Sequence, residues 1–258
     1  MGANHYAIRL RYGVCPLGIV PIRSEASHKS EQRSQLLYGD FFKIIDHRKE
    51  WFKIRTQWDS YEGWVSWNQI QEITEEDFKQ LKQTTPIHST NLLDFISNEK
   101  KELFPIPLGS DLRALSLLDH HFDGQRATAE KIRKNLLTTA YQYLNAPYLW
   151  GGKSPTGIDC SGLSQMVYKI NGIALPRDAY QQAEVGATLS FIEESQPGDL
   201  AFFDDKEGKI IHVGILLPNH FILHAHGQVR IDRIDQTGIF SSDRKGHSHQ
   251  LRLIKSIL

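Results

Sequence analysis

Cysteine is scarce. The 258 residues hold two, Cys15 and Cys160, too few for a disulfide framework. No stretch of 18 or more apolar residues occurs, so the sequence predicts no membrane-spanning helix. An excess of charge of either sign is also missing. Thirty basic residues balance thirty acidic ones, which excludes a strong electrostatic grip on nucleic acid or an anionic membrane. The opening MGANHYAIRL has neither the basic nor the apolar segment of an export signal. The expected location is therefore the cytoplasm, or the periplasm or exterior if a leader has been removed. No internal repeat is visible. The chain is long enough for one sizeable domain and a smaller one, and its mean hydropathy of −0.40 is ordinary for a soluble protein.

The most informative stretch that is present runs from Asn145 to Lys169, NAPYLWGGKSPTGIDCSGLSQMVYK. Gly151, Gly152 and Gly157 allow a tight backbone approach, and Asp159 sits where a helix N-cap belongs. Apolar residues then fall at Leu163, Met166, Val167 and Ile170, the one-face spacing of a half-buried helix. Cys160 stands in the first turn. There the helix dipole and free N–H groups favour thiolate over thiol, so a lowered pKa and a reactive sulfur are expected. Cys15, beside Pro16 with no histidine or second cysteine nearby, reads as a bystander.

Short β-rich runs separated by turn residues fill the N-terminal third: AIRL, GIVPIR, LLYGDFFKIID, EWFKIRT and YEGWVSW. Five short strands in under 75 residues predict a small barrel. With RSEASHKSEQRSQLLYGD ahead of EWFKI and YEGWV, the order resembles a bacterial SH3-type barrel. Trp51, Trp64 and Trp67 are read as its core and rim. Residues 1–75 are assigned to this barrel, and residues 127–258 to a second domain. Residues 76–126 are assigned to a β-rich connector or a reduced second module of the same kind, with a short charged helix or linker at Glu75–Gln83. The tandem His120–His121 is read as ordinary loop residues. A helix is expected between Thr128 and Leu144.

A nucleophilic thiol needs a base, and the base needs an orienting group. Beyond Pro197-Gly198-Asp199 lie three strand candidates, LAFFD, IIHVGILL and FILHAH, the last two joined at Pro218-Asn219 into a hairpin. In an antiparallel pair, facing residues share a constant index sum. A sum of 436 sets His224 opposite His212, and 438 sets His226 there. Spacing does not choose between them.

Taken together, PYLWGG, DCSGL, LPRDAYQQ, PGDLAFF, HVGI and ILHA, in that order from Pro147 to Ala225, resemble the NlpC-type family of papain-like cell-wall peptidases. The resemblance implies an α+β chain: a papain-like domain, with helices packed on an antiparallel sheet, preceded by the SH3-like barrel. It implies Cys160 as nucleophile, His212 as general base, His224 as the group orienting it, and Tyr148 as an oxyanion donor. The barrel together with DCSG and LPRD is similar to the γ-D-glutamyl-L-diamino-acid endopeptidases of murein recycling. By that likeness the substrate is a murein tri- or tetrapeptide with a free L-Ala, cut after D-Glu. Asp159 would meet its ammonium, Ser161 would line the site, and Glu31 and Tyr61 would reach the amino end. Arg177 and Asp178 would border the diamino acid. A monomer without cofactor, metal, nucleic-acid or membrane partner is expected. Two other readings fit the same residues: a zinc hydrolase using Cys160, His212, His224 and His226, and a wall-binding adaptor without activity.

Overall fold

The computed structural model describes residues 11–243 and 245–258. The chain divides into two compact units, one ending at Arg126 and the other beginning at Ala127. Among the described residues no helix is long and apolar enough to cross a membrane.

In the first unit, seven antiparallel strands form one sheet rather than the five strands expected. The run LLYGDFFKIID is not one strand. It breaks at Tyr38-Gly39-Asp40, so that Gln32–Leu37 and Phe41–Arg48 are separate elements. Gln71–Ile73 pairs with Arg11–Val14, and neither strand is among the five runs expected. The expected strand at Ala7–Leu10 lies outside the described residues. Val20, Ile22, Leu36, Phe42, Ile44, Ile54 and Val65 form the barrel core, with Cys15 wholly buried among them. Trp64 is buried and Trp67 half exposed. Glu75–Gln83 is a helix because Thr74 and Asp77 close a capping box at its start. Its Phe78 and Leu81 are spaced to fall on one face, and both are buried. They enter a second cluster with Tyr12, Val14, Tyr38 and Phe41 of the sheet and with Ile96, Ile106 and Leu118. Residues 76–126 thus complete their core on the barrel. His120 belongs to this arrangement, its Nδ1 lying 3.1 Å from the Tyr38 hydroxyl.

The second unit opens with the helix Arg133–Gln142, shorter than the Thr128–Leu144 span expected. A tight pair of two-residue strands, Lys153–Ser154 and Gly157–Ile158, delivers the chain to Asp159 and the helix Cys160–Ile170. Three strand candidates are expected here, on an antiparallel sheet. Six strands are found, and they close into a barrel: Leu200–Asp204, Ile210–Leu217, Phe221–His226, Gln228–Ile234, Gly238–Ser241 and Gly246–Ser256. Closure is achieved by the eleven-residue strand Gly246–Ser256, which pairs with both Leu200–Asp204 and Gly238–Ser241. Register shifts at Phe202/Phe203, Phe203/Asp204 and Ile239/Phe240 supply the bends that closing a sheet requires. Ala201, Phe203, Leu216, Ile222, Ile234, Ile239 and Ile254 form one apolar cluster contributed by the ring strands.

Candidate active site

Asp159 has extended backbone and caps the cysteine helix, its Oδ1 accepting from the Gly162 N–H at 2.7 Å. Gly162 has to be glycine: a Cβ there would lie 2.3 Å from the Gly152 carbonyl oxygen. The helix is not half-buried as the spacing predicts. Every residue from Cys160 to Lys169 is buried, because the helix packs against Arg133–Gln142, Ala179–Gln182 and the strands Ile210–Leu217 and Phe221–His226. Two of its serines are tied to Gln182. Ser164 Oγ donates to Gln182 Oε1 at 2.6 Å, and Gln182 Nε2 donates to the Ser161 carbonyl at 3.0 Å.

Beneath the helix start lies a buried ion pair. Arg177 Nη2 donates to Asp159 Oδ2 at 2.6 Å, with the two side chains 1% and 7% exposed. Arg177 Nη1 donates to Ser161 Oγ at 2.8 Å. Asp159 also accepts from the Gly151 N–H at 2.8 Å and, more weakly, from Ser161 Oγ at 3.4 Å. With Gly162 and Arg177, these fill the four acceptor positions of a carboxylate. Arg177 is therefore an internal counterion rather than a wall of an open site. Asp178 is partly buried and starts the helix Ala179–Gln182 in a capping box with Gln181.

The backbone N–H groups of Val213, the residue after His212, and of Ser161 are near enough to the Cys160 sulfur to favour its thiolate. These donors do not make the thiol acidic as the helix position predicts. Burial pushes the Cys160 thiol up to about 12, and the nearby Asp159 charge pushes in the same direction. Tyr148 shares this environment. Burial first, then the charges of Cys160 and Asp159, raise its hydroxyl to about 12, so it stays a neutral donor. Its backbone is fixed by the bond from its N–H to the Gly227 carbonyl at 2.9 Å.

The hairpin register is settled by Gly214 facing His224, an index sum of 438. His224 is thus the diagonal neighbour of His212, not its opposite. The rings still meet, with His212 Nε2 2.9 Å from His224 Nδ1 and the ring planes at 85°. Gly214 permits this: a Cβ there would lie 2.7 Å from Ile222 Cδ1 and 3.0 Å from His224 Cβ. Both imidazoles are buried. Burial, together with the neighbouring His224, His249 and His226, holds His212 well below the usual histidine pKa. His212 and the thiol thus rest uncharged. Beyond His224, its Nε2 lies 3.0 Å from Asp232 Oδ2 on the next strand. Among the described residues, no group of three or more His, Cys, Asp or Glu side chains is placed to hold a metal ion.

This helix-start cysteine, with paired imidazoles on a hairpin, lies within residues 145–244, which match the model of the NlpC/P60 family. The second unit carries an NlpC/P60 domain. Residues 20–71 match the bacterial SH3 domain. The chain is 27% identical over 250 residues to dipeptidyl-peptidase 6 of Lysinibacillus sphaericus, covering 83% of this chain and 88% of that protein. It is 29% identical over 228 residues to the gamma-D-glutamyl-L-lysine dipeptidyl-peptidase of Bacillus subtilis, covering 75% and 72%. In fold it is similar to the crystal structure of an NlpC/P60 family protein from Bacillus cereus, with a TM-score of 0.80 at 18% identity over 96% of this chain and 99% of that one.

The NlpC/P60 domain brings Tyr148, Asp159, Cys160, Ser161 and Arg177 into one neighbourhood and links His212 to His224. Glu31 and Tyr61 belong to the SH3 domain. There Glu31 is 3.1 Å from Arg33 Nε, and Tyr61 packs on the barrel core. Two residues of the histidine cluster escaped the sequence reading. His249 stacks on His212, ring centroids 4.3 Å apart, but belongs to a strand that carried no strong β pattern. Asp232 lies in the alternation Val-Arg-Ile-Asp, whose polar positions read as solvent-facing. In the structure that side chain is buried.

Proposed function

We propose that this chain is a cysteine endopeptidase that hydrolyses the γ-D-Glu–diamino acid bond of murein stem peptides with a free N-terminal L-Ala, releasing L-Ala-γ-D-Glu for recycling. The reading is carried by one observation: a thiol at a capped helix start, near the N–H beside His212, whose ring is joined to a second imidazole. Relatives named as γ-D-glutamyl-L-lysine peptidases support the choice of bond.

His212 Nε2 is committed to His224, so Nδ1 is the nitrogen left to act as base. It takes the thiol proton as sulfur attacks the γ-carbonyl of D-Glu. Because thiol and imidazole both start neutral, the charge separation arises during attack, where donors aimed at the oxyanion are most effective. The Tyr148 hydroxyl and helix-start N–H groups serve as those donors. The imidazolium then protonates the departing amine of the diamino acid, and water hydrolyses the thioester with His212 again as base. At the amino end we assign Asp159 and Ser161 to the substrate ammonium. It would replace the Ser161 hydroxyl at the longest of the four Asp159 contacts. Glu31 and Tyr61 are proposed for the same end and Asp178 for the diamino-acid side, with Arg177 acting from below through Asp159. A monomeric cytoplasmic enzyme suits a substrate of released peptides.

Mass spectrometry of products from defined stem peptides tests the proposal. Free-amine tripeptides should yield L-Ala-γ-D-Glu, N-acetylated and sugar-capped ones should not, and Cys160→Ala should abolish turnover. Efficient cleavage of the acetylated peptide refutes the amino-end assignment. Loss of activity to EDTA, restored by zinc, refutes the thiol mechanism.

A further inference from the structure

We infer that Asp232 is a positioning residue that sets the order of protons along His224 and His212 and so leaves the lone pair on His212 Nδ1. This rests on the peptidase reading only for its consequence in turnover, because the proton order belongs to the free protein. The three groups lie on three consecutive strands, each diagonal to the next: His212 to His224 across Gly214–His224, and His224 to Asp232 across His224–Arg230.

An ionised carboxylate only accepts. With His224 Nε2 at 3.0 Å from Asp232 Oδ2, the proton of that contact sits on His224 Nε2. A neutral His224 then presents Nδ1 as an acceptor. His212 Nε2, 2.9 Å away, must donate to it. The His212 proton is thereby on Nε2, and Nδ1 is bare. Reversing the order requires a protonated Asp232 donating to His224, and the surroundings oppose that. Arg230 lies against both oxygens, Nε 2.7 Å from Oδ2 and Nη2 donating to Oδ1 at 3.0 Å, and is itself anchored to Asp243 at 2.6 Å. Burial alone would raise Asp232, but the hydrogen bonds from His224 and Arg230 outweigh it and hold the carboxyl below its usual range. His249 meets the His212 ring by stacking, and its own Nδ1 is 2.9 Å from Ser248 Oγ.

The test is a two-bond ¹H–¹⁵N spectrum of the histidine rings in the full chain near pH 7.5, beside the rate at which iodoacetamide alkylates Cys160. The parent should show His212 and His224 both as Nε2–H tautomers. Asp232→Asn presents either an oxygen or an NH₂ to His224, so it should mix the tautomers and slow alkylation by roughly tenfold, the lower end of what orienting partners of imidazoles contribute. Asp232→Glu should restore the parent tautomers and bring the rate back to within about threefold of the parent. A parent spectrum with the His212 proton on Nδ1 overturns the inference, and needs no variant to fold. So does an Asp232→Asn protein with unchanged tautomers and an unchanged alkylation rate. A protein that shows the stated proton order but leaves stem peptides uncut refutes the substrate reading and supports this one.

Discussion

Consider removing one half of the Asp159–Arg177 pair. Both side chains are almost wholly excluded from water, so each single change strands a charge rather than merely deleting a contact. Asp159→Asn keeps an oxygen for the Gly162 N–H but takes away the carboxylate to which the Arg177 guanidinium donates. The expected loss is about 3–5 kcal/mol, the range for breaking a buried pair. Arg177→Met strands the carboxylate instead, which retains the Gly162 and Gly151 N–H groups at 2.7 and 2.8 Å. Those two charge-assisted bonds should limit its loss to about 2–4 kcal/mol. The double variant strands nothing, so it should lose at least about 1 kcal/mol less than the two singles added together. Urea unfolding of the full chain, followed by amide exchange in peptides from Cys160–Ile170, reads the second unit by itself. Single losses below about 1 kcal/mol that simply add would refute the claim that this pair is a desolvated structural unit.

Other consequences follow from the same geometry. His212 titrates below the ordinary histidine value in the folded chain, so the unfolded chain binds the extra proton first on acidification. Stability should fall with pH from about 6.5 downward by up to about 1.4 kcal/mol per pH unit, and the slope should diminish in His212→Gln. An unchanged slope refutes the buried neutral ring. Tyr148→Phe should lower kcat by roughly a hundredfold with little change in KM if the phenol serves the oxyanion, and a change in KM alone argues otherwise. Gly214→Ala should cost about 1–3 kcal/mol and push His224 off His212. Its turnover should fall well below that of the parent chain, and an unchanged turnover refutes the need for space at Gly214.

The sequence was legible where chemistry depends on short spacing. A cap, a cysteine and a run of apolar residues within a dozen positions announce the Cys160 helix, and Pro218-Asn219 announces the hairpin. Longer-range facts were not. Parity puts His212, His224 and His226 on one face but cannot fix the register, and the pair that forms is diagonal. Resemblance chose His224, and the ring contact supports it even though the facing residue is Gly214. The helix dipole was given too much weight for Cys160, because desolvation is invisible until packing is known. Arg177 followed a motif, yet only the fold reveals that it is buried. Closure of the second sheet turns on bulges at Phe202/Phe203 and Ile239/Phe240, which have no composition of their own.

The ring's closing strand has a bearing on biosynthesis. Gly246–Ser256 joins partners that precede it by about fifty residues and by fewer than ten, and His249 rides on it to cover His212. While a ribosome still holds these residues, the nascent unit has two unpaired β edges and an uncovered imidazole. A chain without this strand would present two open β edges where the ring is otherwise closed.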